Sequence, residues 1–154
     1  MQLVGMSIVL VALFFPYVFA SVDTYTLSHE EEQILRSNGI IKKSKTIKGT
    51  NIKEAIAIGL INARPSVVWN VITDYSNYKD FMPRTAKSEV TDIIGDTVYF
   101  FSELDMPLPM PNVSYEIALR HDKKRLVIDF NLVPGTGRNV KQLRGNWKLK
   151  PYGQ

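Results

Sequence analysis

Apolar residues along the chain change their period several times, and each change marks a predicted element. Ile8 to Phe15 (IVLVALFF) is one unbroken apolar run, shorter than the roughly 20 residues that a membrane-spanning helix needs. Ser28-His29-Glu30-Glu31 then predicts the start of a short helix. The Ser28 hydroxyl can accept from the Glu31 N–H while the Glu31 carboxylate accepts from the Ser28 N–H. Glu30, Glu31 and Glu32 also sit where the helix dipole favours negative charge. Ile34 and Leu35 give this helix a small apolar contact, and Asn38-Gly39 ends it. From Asn51 the period becomes two: Ile52, Ile56, Ile58 and Leu60 share one face, while Ala55, Ala57 and Gly59 share the other. The small face predicts close packing of something large, a helix or a ligand. Arg64-Pro65 opens a second helix, with Val68, Val71 and Ile72 as its buried stripe and Val67 and Trp69 at its flanks. Asp74-Tyr75-Ser76-Asn77 interrupts it, and a further short turn ends at Met82-Pro83.

The remaining chain alternates as successive antiparallel strands. Thr85 to Thr91 leads through an Ile94-Gly95-Asp96 turn into Thr97 to Leu104. The segment Met106-Pro107-Leu108-Pro109-Met110-Pro111 breaks the ladder, because proline has no N–H to donate. Val113, Tyr115, Ile117 and Leu119 then share one face, opposite Ser114, Glu116, Ala118 and Arg120. After a turn at His121 to Lys124, Leu126, Ile128, Phe130 and Leu132 alternate with Val127, Asp129 and Asn131. Pro134-Gly135-Thr136-Gly137 is a further turn, and Leu143, Gly145, Trp147 and Leu149 form the last alternating face. The order is strand, two short helices, then a meander of about five strands: an α+β domain whose sheet has one apolar and one polar face.

Length and composition narrow the choice. The 154 residues suit one domain, and 45% apolar residues suffice for a core. A net charge of +4 is a mild excess, short of the dense basic stripe of a nucleic-acid module. With no cysteine and two histidines, disulfides, thiolate metal sites and a cysteine nucleophile are excluded, and no metal or cofactor site is expected. Residues 1–22 carry no charged side chain, and the apolar run followed by Val18-Phe19-Ala20 before Ser21 reads as a secretory signal spanning residues 1–20. The expected location is therefore the periplasm or the exterior, with an uncleaved membrane anchor as the alternative. Residues 21–48 form an N-terminal helix and a basic segment. There Lys42, Lys43, Lys45 and Lys48 read as a solvated loop or edge strand in preference to a patch for anionic lipid.

Three features in order carry a resemblance. The first is Trp69-x4-Asp74-Tyr75-x2-Tyr78-x2-Phe81-Met82-Pro83. The second is the proline-rich interruption before Val113, and the third is Gly145-x-Trp147-x-Leu149-x-Pro151. Together they resemble the START-like (SRPBCC) superfamily, in its polyketide cyclase/dehydrase or coenzyme Q-binding branch, over about Gly49 to Pro151 of an expected domain at residues 49–154. The resemblance implies a helix-grip fold, in which a curved antiparallel sheet grips a long C-terminal helix around an apolar cavity. In such domains the chain continues past the Gly-x-Trp strand. Here it reaches Gln154 shortly afterwards, so the expectation is a truncated domain lacking that strand and helix, its apolar face open to a partner or a second copy.

No coherent catalytic group emerges. His29 lies in a first helical turn, and His121 sits in a turn beside Asp122 and Lys123, so both read as solvated. Asp74 reads as a cap for the short turn after it. Glu103, on a strand apolar on both faces, is the best candidate for a buried carboxylate. The reading is an exported, non-enzymatic domain that binds or carries a hydrophobic small molecule, such as a lipid, isoprenoid or quinone. The expected lining is Phe100, Tyr115, Ile117, Ile128, Phe130 and Trp147, with Phe81 and Met82 guarding one end. Tyr115 can lend its hydroxyl to such a ligand. The alternatives are a cyclase/dehydrase-type enzyme acting through Glu103 or Tyr115, and an interaction module whose open sheet face docks a protein or meets a membrane.

Overall fold

The computed structural model describes residues 27–46 and 53–152. The segment 1–20 expected to be a secretory signal, Lys48 and Ile52 lie outside the described residues. Helix α1 (His29–Arg36) begins with the full capping box, Ser28 and Glu31 exchanging both hydrogen bonds. Strands β1 (Ile40–Thr46) and β2 (Lys53–Gly59) pair antiparallel over seven residues, so the basic segment is an edge strand. Its Lys43 pairs with Glu31 of α1. Leu35 of α1, Ile41 and Ile58 form a small core of their own, with Leu27, Ile56 and Leu60 against it. The small face of β2 is not the packed one: Ala55 is exposed and Ala57 half-buried. The isoleucines supply more apolar area to bury against α1, and that decides which face turns inward.

Helix α2 (Pro65–Ile72) follows, then a 3-10 turn (Tyr75–Asn77) and the single-turn helix α3 (Tyr78–Phe81). The buried stripe of α2 is rotated from the expected one. Val68 and Trp69 are buried and Ile72 is half-buried, whereas Val67 and Val71 are each 51% exposed. Pro65, Val68, Trp69 and Ile72 fall at i, i+3, i+4 and i+7, which is one helical face and leaves Val71 off it.

The meander is a five-stranded antiparallel sheet in chain order: β3 (Thr85–Ile94), β4 (Thr97–Leu104), β5 (Val113–Asp122), β6 (Val127–Leu132) and β7 (Arg144–Lys148). Register shifts after Thr85 and after Val90 bend its β3 edge. The register aligns the expected faces. Phe100 pairs with Ile117, Leu119 with Phe130, and Ile128 with Trp147. The main core therefore lies on one face of the sheet, beneath α2 and the 3-10 turn, with Val68, Trp69, Tyr75, Phe100, Leu119 and Leu149 among its buried members. This is the curved sheet of a helix-grip fold, met by a few short helices.

Candidate functional site

The inner face carries Val98, Phe100, Ser102 and Leu104 on β4, and Val113, Tyr115, Ile117 and Leu119 on β5. Phe130 and Leu132 on β6, and Gly145 and Trp147 on β7, continue it. Two zones follow from how the helices cover this surface.

In the first zone the chain fills the face itself. The Tyr75 ring lies 5.4 Å from Phe100 and 5.8 Å from the His121 imidazole, and Trp69 meets His121 edge-on at 5.7 Å. Tyr75 Oη and His121 Nε2 are 2.7 Å apart and hydrogen-bonded. Burial, reinforced by the adjacent Tyr78, holds the Tyr75 phenol far above its ordinary pKa. The His121 pKa is lowered, first by burial and then by Lys123, against a smaller opposing effect of Asp96. His121 is therefore not the solvated turn residue expected. Strand β5 runs on to Asp122, and the two-residue period brings position 121 onto the inner face. Tyr78 donates to the Ile72 carbonyl at 2.5 Å. Ser88, on β3, donates to the Ser76 carbonyl and accepts from the Lys79 N–H at 2.9 and 3.0 Å, pinning the corner to the sheet. Asp74 does not cap through the backbone as expected: both its carboxylate oxygens accept from the Asn77 side-chain amide, at 3.0 and 3.1 Å.

In the second zone the face is less covered. Leu104, Val113, Tyr115, Leu132, Leu143 and Trp147 are all half-buried. Gly145 offers no side chain opposite Phe130, which opens the surface between Leu143 and Trp147. Three segments frame this end. The proline-rich connection leaves Leu108 at 94% and Met110 at 47% exposure. The α3–β3 link brings Phe81 and Met82, and is tied to the connection by the Asp105 N–H donating to the Arg84 carbonyl at 2.8 Å. The β6–β7 loop is held against β5 by paired backbone bonds between Ser114 and Arg138, at 3.2 and 2.7 Å. A Cβ at Gly137 would stand 2.2 Å from the Val140 carbonyl oxygen, so only glycine fits this loop without a shift.

The eight expected lining residues separate accordingly. Tyr115 and Trp147 are half-buried on the open zone, Met82 is half-buried and Phe81 is 47% exposed at its end. Ile117 and Phe130, each 7% exposed, Phe100 at 3% and Ile128 at 0% are all buried members of the main core. Leu104, Val113, Leu132 and Leu143 belong to the open zone and were not among the eight. Their signal was present, since all share the alternating face of Tyr115 in register. Glu103 pairs with Lys87 and Ser114, on the face opposite Tyr115, so its carboxylate does not lie on the inner face. Among the described residues no cluster of three or more His, Cys, Asp or Glu stands close enough to hold a metal ion. Nor is any described helix long and apolar enough to cross a membrane.

A family model described as polyketide cyclase / dehydrase and lipid transport matches residues 61–154. No curated protein matches the chain. The fold is similar to the crystal structure of the Zhui aromatase/cyclase from Streptomyces sp. R1128, with a TM-score of 0.53 at 18% identity. That alignment covers 74% of this chain and 59% of the aromatase/cyclase. It is also similar to a STAR-related lipid transfer protein (fragment 25–204) from Xanthomonas axonopodis, with a TM-score of 0.58 at 14% identity, covering 75% of this chain and 77% of that one.

Proposed function

Because this chain belongs to the polyketide cyclase / dehydrase and lipid transport family, we propose that it binds and carries a hydrophobic small molecule on the inner face of its sheet. The observation that carries this reading is the second zone itself: a contiguous set of half-buried apolar side chains, Leu104, Val113, Leu132, Leu143 and Trp147, around one phenol. Burial of such surface against a ligand contributes about 25 cal/mol per Å² of apolar area, without any demand for a catalytic group. The similarity of the fold to an aromatase/cyclase and to a lipid transfer protein supports the same direction. A carrier reading is favoured over an enzymatic one by the state of the titratable groups. His121 is engaged by Tyr75 in the filled zone, and Glu103 lies on the other face. Lipids, isoprenoids and quinones are the ligand classes that suit a face of this kind.

Export completes the proposal: the apolar run Ile8–Phe15 and the small residues before Ser21 support passage out of the cytoplasm. N-terminal sequencing of the secreted or periplasmic protein should begin at Ser21, and a start at Met1 would contradict it. The binding claim is tested by native mass spectrometry of the full chain after incubation with an apolar lipid extract. A retained adduct is expected, lost in Leu132→Asp, which places a charge in the hollow. A chain that stays free of adduct, or an adduct that Leu132→Asp retains, would overturn the reading.

A further inference from the structure

The strands of the large sheet have two ends, and the hollow uses one of them, where Leu104, Val113 and Leu132 stand. At the other end lie the β3–β4 tip, the β5–β6 turn and the last residues of β7. The His121 N–H donates to the Asp96 carbonyl at 2.8 Å, which fixes the two hairpin tips side by side. Neighbouring strands lie about 4.8 Å apart, so this end spans about 14 Å from β4 to β7.

Two features of this end are unfavourable in water. Ile93 and Ile94, at the β3–β4 tip, are 64% and 59% exposed. Consecutive strand residues point to opposite faces of a sheet, so the pair makes a projecting two-sided apolar tip. The second feature is concentrated positive charge. Val127 pairs with Lys148, and the Leu149 N–H donates to the Leu126 carbonyl at 2.9 Å. One residue further, the same register sets Lys150 opposite Arg125, and like charges directly opposite destabilise a strand pair. Burial, then Lys150 and Arg125, hold the half-buried Lys148 below the ordinary lysine pKa. Lys123 and Lys124 are exposed in the adjoining turn. The carboxylates here offset only part of this charge. Asp122 is held by Arg125 at 2.6 Å, Asp129 lies 3.5 Å from Arg120, and the Asp92 carboxylate accepts from the Ile93 N–H. Asp96 is the remaining acid of the tip. Among the described residues, Lys123, Lys124, Lys148 and Lys150 have no ion-pair partner.

Isoleucines left in water beside cations set opposite one another break two local rules at one place, as sites of interaction do. We infer that this end of the sheet docks on an anionic lipid bilayer, with the Ile93–Ile94 tip entering the headgroup boundary and Arg125, Lys148 and Lys150 facing lipid phosphates. A projecting aliphatic tip suits a fluid boundary, whereas an acidic protein would need a matching cleft to cover it. Each lysine or arginine near such a surface strengthens the attraction, and the apolar tip adds burial that charge alone does not give. The docked end is opposite the hollow, so the contact anchors the domain with its inner face turned away from the membrane. This inference is independent of the carrier reading.

The experiment floats the full chain with vesicles of phosphatidylcholine, alone or mixed with phosphatidylglycerol. The anionic vesicles should bind at least roughly tenfold more tightly than the neutral ones, and added salt should remove the difference. Whatever the apolar run Ile8–Phe15 contributes is common to both vesicles and cancels in that ratio. Lys148→Glu combined with Lys150→Glu should bring the ratio close to one, and Lys123→Glu with Lys124→Glu, in the exposed turn, should lower it part of the way. The charge-matched control Lys42→Glu with Lys87→Glu, placed away from this end, should keep it. Ile93→Ser with Ile94→Ser should weaken binding to the anionic vesicles roughly tenfold. Circular dichroism checks the folding of every variant. Equal binding to both vesicles, or the same loss in the control as in the Lys148 and Lys150 variant, would overturn the inference. Anionic binding that the isoleucine variant leaves unchanged would overturn it too, pointing to a soluble acidic partner in place of a bilayer.

Discussion

Position 121 is where residue-level chemistry departs most from its sequence surroundings. Asp122, Lys123 and Lys124 announce a solvated turn, yet the imidazole lies against Trp69 and bonds to Tyr75. Nothing local marks it; the signal is the strand running on to Asp122, which only pairing with β6 fixes. Its lowered pKa gives a sign for stability. The unfolded chain binds a proton more readily than the folded one, so the folded state loses stability as pH falls below the ordinary value of 6.5, until the folded group also titrates. The urea midpoint should therefore drop between pH 7.5 and pH 5 by more than in His121→Phe. Equal drops in the two proteins would contradict the assignment. The Tyr75 hydroxyl is the other half of the pair, and Tyr75→Phe should cost about 1 kcal/mol, read from urea unfolding at pH 7.5.

Elements were more legible than residues. Helix α1 was visible because a capping box is a local signature, with both reciprocal bonds present at Ser28 and Glu31. Ser28→Ala should cost about 1 kcal/mol, seen as faster amide exchange in α1 and β1 with the large sheet unaffected, since these elements share their own core. The strands were legible from alternation, and one register carried Val98, Tyr115, Ile117 and Phe130 onto a common face. Two elements were read less well. The expected stripe of α2 includes Val71 and leaves Trp69 at its flank because valines at 67, 68 and 71 look alike in sequence, while packing against the sheet selects one helical face. The β6–β7 connection read as a plain turn, whereas it is sewn to β5 through Ser114 and Arg138. Gly137→Ala should destabilise this loop by forcing the Val140 carbonyl away, detectable as a lowered melting temperature.

For the molecule as a whole, the α+β arrangement follows from the order of elements, the helix-grip architecture from the family resemblance that three motifs carry, and the site only in outline. Alternation tells which side chains share a face but not which part of that face the protein fills for itself. That division is made by α2 and the 3-10 turn, which bury Phe100 and Ile128 and leave Tyr115, Leu132 and Trp147 half open. The most direct test of the central claim is methyl NMR of the Ile/Leu/Val-labelled full chain titrated with undecan-2-one. Saturable shifts are predicted at Leu104, Val113, Leu132 and Leu143, with Val67 and Val71 unmoved. Shifts spread over the outward valines of α2, or no saturable shift in the inner-face set, would contradict it.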